Sequence, residues 1–435
     1  MDPELNIPKL ADHLFRRESG KMVAVLGKIF GIEWLETAED TVQQTFADAI
    51  SIWTLKGIPD NPSAWLYRVA KNKAIDLIRK NKHTLKYDFA DDEKILLNSE
   101  YTLSTVMENY WKEDLIRDDM LRMMFAACHP GISPESQIAL ILKTICGFST
   151  GEIARALLCS EETISKRLYR AREFLRENKV RLVIPSVTEL KSRVSAVLNT
   201  IYLLFNEGYN ATKAPQLIRL DLMAEAMMLG KLLTENRHSQ IPEAYALMAL
   251  MCFHAARSES RLTREGEIIL LPDQDRTKWD HALIELGNCY LSQSAFGNEM
   301  SPYHIEAAIA FEHCRASDFS ATDWVRILEL YGWLNNLSPS PITELNRVVA
   351  IMQVQGPANA LEAMNQIIDK TKLDNFYLYH GLLGEIHARL SQPVKALVHL
   401  EKALKMTASE PERKILKHKI NALMNPGVKV EVVKS

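Results

Sequence analysis

Ser149 to Glu177 reads STGEIARALLCSEETISKRLYRAREFLRE. Ser149 and Thr150 are cap-type residues ahead of a short helical pattern, Gly151 to Leu158, in which Ile153, Ala156 and Leu157 recur at three-to-four spacing. Cys159 and Ser160 make a tight connection. Ser160 then stands as an N-cap before Glu161, Glu162 and Thr163, with acidic residues where the helix dipole favours them. The second helix carries an apolar stripe of Ile164, Leu168, Ala171 and Leu175, while Lys166, Arg167, Arg170, Arg172 and Arg176 lie off it. A basic amphipathic helix alone is commonly just a solvated face. The supporting helix and the short turn make this one a helix-turn-helix, a shape whose second helix enters the major groove. The motif specifies a DNA-binding module but not the process that the module serves.

At 435 residues the chain is too long for one ordinary core and suggests roughly two to four domains. Hydrophobic content of 47% and 25% charged residues fit a soluble globular protein that folds throughout. A net charge of only −3 argues against a protein that coats nucleic acid and for local basic patches diluted by neutral or acidic domains. No apolar run approaches the ~20 residues that span a bilayer, and MDPELNIPKLADHLFRRESG lacks a signal-peptide core, so a cytoplasmic location without membrane contact is expected. Cys128, Cys146, Cys159, Cys252, Cys289 and Cys314 show no CxxC spacing. Cys128-His129 lacks a second pair at ligand spacing, so no metal and no cofactor are expected.

Helical periodicity dominates from end to end and predicts an all-α fold, with one β-type segment at Glu267 to Leu271. The first helical block covers 1–81. A linker is expected at 82–114, where Asp88, Asp91, Asp92 and Glu93 cluster. The helix-turn-helix block follows at 115–184, with Ser133-Pro134-Glu135 opening one of its helices, then a helical domain at 185–300. From 301 to 435, helices of about a dozen residues alternate with breaks at Ser338 to Pro341, Gly356-Pro357 and Ser391 to Pro393. Gly384, Ala396, Leu400 and Ala403 match small and large positions of a tetratricopeptide-like unit, in which small residues let paired helices approach closely.

A second basic helix lies upstream. WLYRVAKNKAIDLIRK, Trp65 to Lys80, has an apolar stripe of Leu66, Val69, Ile75 and Ile78. Arg68, Lys71, Lys73, Arg79 and Lys80 supply a phosphate-binding face, and Asn72 and Asp76 are compact groups of the kind that read exposed base edges, which suits single-stranded DNA. Before it, AEDTVQQTFADA, Ala38 to Ala49, has a polar face of Glu39, Asp40, Gln43 and Gln44 beside an apolar face of Val42, Phe46 and Ile50, which can dock a partner helix.

In order and spacing these three segments resemble regions two and four of bacterial sigma factors of the extracytoplasmic-function group, over about Leu10 to Leu182. The resemblance implies a factor that binds core RNA polymerase and directs it to promoter DNA without covalent chemistry. It implies contact of Asp40, Gln43, Gln44 and Phe46 with the β′ clamp helices. Recognition of the minus-ten element would fall to Asn61, Arg68, Lys71, Asn72, Lys73 and Asp76. Reading of the minus-thirty-five element beside the β flap would fall to Thr163, Lys166, Arg167, Arg170 and Arg172. An ordinary member would stop soon after Leu182. Here Phe125 to Pro130, Phe205 to Tyr209, and Leu271 to Arg276 followed by Trp279-Asp280 resemble the subgroup with a long helical extension acting in cis. Its repeats offer a surface to a protein partner.

Two other classes compete. One is a helix-turn-helix regulator whose repeats sense a protein or small ligand, and the other is a repeat scaffold with a vestigial DNA module. An enzymatic reading would draw on Asn206-Glu207, Asp273, Asp275, His254 and Arg276. It lacks a nucleophile, phosphate loop or ligand cluster, and such residues also cap helices and lock loops, so no catalytic residue is assigned.

Overall fold

The computed structural model describes residues 7–80, 113–157, 159–183, 187–209, 218–236, 239–263, 267–297, 299–367, 373–374, 376–407 and 409–424. Among them the regular elements are eighteen α-helices and short 3₁₀ turns, and the fold class is all-α. The strand expected at Glu267 to Leu271 is corrected to an isolated antiparallel bridge between Leu262 and Ile268. Pro272 sits inside the 3₁₀ turn Leu271–Asp273 that follows, where it removes the next ladder donor. Apart from its last two positions, which open a helix, the linker expected at 82–114 lies outside the described residues. The chain forms two compact units: Met1–Leu204 with Lys231–Gln240, and Phe205–Gly230 with Ile241–Ser435.

In the first unit, α1 (Ile7–Phe30), α2 (Leu35–Lys56) and α3 (Pro62–Lys80) share a core. Met22, Leu26, Ile29 and Phe30 of α1 are fully buried, and α2 contributes Val42, Phe46, Ala49 and Trp53 at three-to-four spacing. Phe46 meets Phe15 edge to face with ring centroids 5.0 Å apart, and Trp53 meets Trp65 at 5.5 Å.

Next come α4 (Glu113–Ala127), α5 (Pro134–Thr144), α6 (Thr150–Ala156) and α7 (Glu161–Glu177). Pro134 occupies the tolerated first turn of α5. A reciprocal capping box of Ser149 and Glu152 starts α6, and Ser160 Oγ accepts the Thr163 amide to start α7. These caps decide where each helix begins, so the tight turn between α6 and α7 is written locally. Helix α8 (Val187–Tyr209) buries Val194, Val197, Leu198 and Ile201, and Thr200 Oγ1 donates to Gln137 Oε1 at 2.9 Å. The start of the extension is thereby tied to the helix-turn-helix block.

The second unit is built on α10 (Pro242–Ala256), which follows α9 (Leu220–Glu235). Apolar almost all round, α10 is enclosed by α11 (His281–Gln293) and α12 (Pro302–Arg315) among its neighbours. Beyond it, α13 (Trp324–Leu337), α14 (Pro341–Gln355), α15 (Pro357–Gln366), α16 (Tyr377–Arg389), α17 (Pro393–Met406) and α18 (Glu410–Met424) stack mainly on their sequence neighbours. Such nearest-neighbour packing is the rule in helical arrays. One close joint is α16 on α17, where a Cβ at Gly384 would lie 2.6 Å from Leu400 Cγ. Gly384→Ala is expected to destabilise this unit by about 1–3 kcal/mol through overpacking. A urea midpoint equal to wild type would show that the joint is looser.

Candidate nucleic-acid interface

Helix α3 separates its two roles cleanly. Leu66, Ala70, Ala74, Ile75 and Ile78 are buried, whereas Arg68, Asn72, Asp76, Arg79 and Lys80 are exposed and Lys71 and Lys73 half-buried. Asn61 precedes the helix and its Oδ1 accepts the Ala64 amide at 3.0 Å, so it caps α3. Lys73 Nζ lies 2.8 Å from Asp48 Oδ2, and this hydrogen bond is the main reason that the Asp48 carboxyl is held below its usual range. Asp76 faces Arg79 at 3.7 Å. The candidate minus-ten residues therefore share one helix and its cap, with Lys73 leaning on α2.

On α2, Asp40, Gln43 and Gln44 are exposed, and Gln44 Nε2 donates to Asp48 Oδ1 at 2.9 Å. Phe46 is corrected: only 5% exposed, it belongs to the internal core against Phe15 and not to a docking face. Val42 is buried with it, and of the expected apolar face Ile50 alone reaches the surface.

Helix α7 buries Ile164, Leu168, Ala171 and Leu175, as the periodicity predicts. Thr163 Oγ1 sits 2.9 Å from Ser160 Oγ at the cap, Lys166 pairs with Glu162 at 2.7 Å, and Arg170 is exposed. Arg167 Nη1 lies 3.9 Å from Cys159 Sγ. Arg172 departs from this set. Its Nη1 bonds Glu36 Oε1 at 3.0 Å and its Nη2 bonds Glu39 Oε2 at 2.6 Å, both across to α2. Glu39 is 6% exposed, and burial raises its pKa despite Arg172 and Lys143 nearby.

A second ion pair, Arg16 with Glu152, joins α1 to α6, and the Arg16 guanidinium lies 4.2 Å from the centroid of Phe148. Between the two pairs is a cavity of about 530 Å³ lined by Asp12, Ser19, Glu39, Gln43 and Lys143 among others. Sequence reasoning missed this contact. The partners are 133 and 136 positions apart, and the only local signal is that Arg172 adjoins the buried Ala171, at the edge of the stripe.

The other constellations have structural occupations. Cys128 is fully buried with its thiol pushed up to about 12 by burial, and His129 Nδ1 accepts the Gly131 amide at 3.1 Å. Asp275 Oδ1 accepts the Thr277 amide at 3.1 Å. Arg276 donates to the carbonyls of His313 at 2.6 Å and Ala316 at 2.8 Å and to Thr322 Oγ1 at 3.1 Å, so it seals the end of α12. Burial keeps His254 neutral, its pKa well below the ordinary value. No helix among the described residues is long and apolar enough to cross a membrane.

Family models match three segments: sigma-70 region 2 at residues 14–84, sigma-70 region 4 at 122–175, and a family of unknown function (DUF6596) at 193–295. An uncharacterized protein of Rhizobium meliloti (strain 1021) is 31% identical over 389 residues, which span 89% of this chain and 90% of that protein. An ECF RNA polymerase sigma-E factor of Haemophilus influenzae (strain ATCC 51907 / DSM 11121 / KW20 / Rd) is 29% identical over 146 residues, 32% of this chain and 73% of that factor. No solved structure matches the chain. Regions 2 and 4 in their proper order, on the surfaces just described, make the chain a sigma-70 factor of the extracytoplasmic-function type, acting in promoter-specific transcription, and with its C-terminal extension it belongs to one family with the Rhizobium meliloti protein.

Proposed function

We propose that Asp40, Gln43 and Gln44 on α2 dock the clamp helices of the polymerase β′ subunit, that Arg68, Lys71, Asn72, Lys73 and Asp76 with Asn61 read the minus-ten element, and that Thr163, Lys166, Arg167 and Arg170, joined by Arg172 once it is released, read the minus-thirty-five element beside the β flap. The observation that carries the reading is the division of α3 into a buried apolar stripe and an exposed face of Arg68, Asn72, Asp76 and Arg79, together with a polar α2 surface that stays exposed among the described residues. Cations on that face hold the backbone, and the Asn72 amide offers a donor and an acceptor to an unstacked base.

The test is co-elution of the full chain with core RNA polymerase at low salt. Alanine at Asp40, Gln43 and Gln44 together is expected to weaken it at least about tenfold, as loss of several central contacts does. Failure of the wild-type chain to co-elute would sink the polymerase assignment.

The extension acts in cis in this reading. Its support is the packing of α8 on the helix-turn-helix block, where Thr200 engages Gln137 and Arg193 Nη2 donates to the Phe125 carbonyl at 3.3 Å. Val394 and Val398, exposed at one-turn spacing on α17, suit a protein partner of the array. A cut at Leu182 would strip α8 from the block it covers, so the informative truncation is after Gln240. Unchanged promoter output and polymerase affinity in that variant would remove the cis role.

A further inference from the structure

In the described state the two regions are closed on each other through Arg172. Its fork engages two carboxylates of α2, the geometry with which a guanidinium otherwise grips phosphate. One guanidinium cannot hold both carboxylates and a DNA phosphate. We propose that Arg172 with Glu36 and Glu39 forms a latch that holds the DNA-reading helix α7 against α2, so that Arg172 reaches DNA only after regions 2 and 4 separate. The proposal rests on the sigma-factor reading of α2 and α7.

Position argues that docking opens the latch. Glu39 immediately precedes Asp40 and lies about one turn before Gln43, and Gln43 itself lines the cavity between the regions. A partner that takes Asp40 and Gln43 therefore arrives beside the carboxylates that hold Arg172.

The contact is specific in register. A Cβ on Gly20 of α1 would fall 1.8 Å from the Ile145 carbonyl oxygen, so these backbones meet as closely as glycine alone permits. It is nonetheless incompletely satisfied. Among the described residues Glu39 Oε1, Arg172 Nε and Ser19 Oγ are buried with no protein hydrogen-bond partner, and Glu39 and Ser19 both line the cavity. Unmet buried polar groups oppose closure, and opening returns them to water. A contact with a fixed register but unmet groups has the character of a two-state element.

The experiment is fluorescence anisotropy of the full-length chain on a labelled duplex of arbitrary sequence, across a salt series. Glu39→Gln keeps the shape of the side chain but removes the charge that holds Arg172. It is expected to raise affinity about three- to tenfold and to steepen the log–log salt slope by about one unit, as one additional phosphate contact does. Adding Arg172→Ala should remove that gain. Arg16→Gln loosens the opposite end of the contact at a partly exposed site and should raise affinity in the same direction, a readout that survives even if Glu39→Gln fails to fold. Wild-type affinity in both Glu39→Gln and Arg16→Gln, or a gain that persists after Arg172→Ala, overturns the latch. Arg170→Ala separates the two levels: if loss of this exposed arginine leaves duplex binding unchanged, the DNA-reading assignment of α7 itself fails, and the latch with it.

Discussion

Replacing Arg68 and Lys71 together by alanine is expected to weaken binding of the polymerase-bound chain to an A·T-rich fork-junction DNA by about 10- to 100-fold at low salt. The log–log salt slope should fall by about two units, one per cation removed. Arg68 is exposed and Lys71 is half-buried at the edge of the stripe, so the change removes two charges while leaving Leu66, Ala70, Ala74 and Ile78 in place. Asn72→Ala should behave differently. The amide carries no charge, so its loss should leave the salt slope intact and relax base preference at the position that it reads. Salt titrations on matched and mismatched forks measure both. Loss of core polymerase binding in Arg68→Ala/Lys71→Ala would assign this face to docking instead of DNA.

The contrast between α7 and α2 shows what a single sequence carries. The stripe of α7 and the caps at Ser149 and Ser160 are short-range patterns, and Ile164, Leu168, Ala171 and Leu175 are all buried as the spacing requires. Periodicity gives a face but not its occupant. Val42, Phe46 and Ile50 form an apolar stripe that could equally meet another chain, and it is Phe15, thirty-one positions upstream of Phe46, that claims Phe46 for the core. The same limit hides the latch, since nothing near Arg172 announces a carboxylate pair on α2. At Glu267 to Leu271 the β-branched composition was legible, but a strand needs a neighbour, and the chain supplies only one bridge before Pro272.

Acidification is expected to unfold the second unit selectively, and two histidines are the reason. His313 at the end of α12 is half-buried, with its Nδ1 shielded from solvent, and desolvation first, then the charges of Arg257 and Arg276, lower its pKa from 6.5 to about 3. His254 is lowered in the same direction by burial and by Arg257, Arg261 and His313. Arg257 is itself enclosed, with Nη2 donating to the Tyr209 hydroxyl at 2.7 Å, and a guanidinium does not give up its proton, so the imidazoles must stay neutral. In the unfolded chain both histidines titrate near 6.5, so below that pH the unfolded state binds more protons than the folded one. Their contribution is complete above about pH 6.5 and is lost progressively as pH falls toward 3. For His313 alone the loss between pH 6.5 and 4 is roughly 3 kcal/mol, with His254 adding to it. Denaturation of the full chain followed from pH 7 to 4 should show this slope, and His313→Phe should flatten it by about one proton in that window. A slope unchanged by His313→Phe would mean that the imidazole is protonated in the native unit and that a carboxylate, not burial, governs its charge.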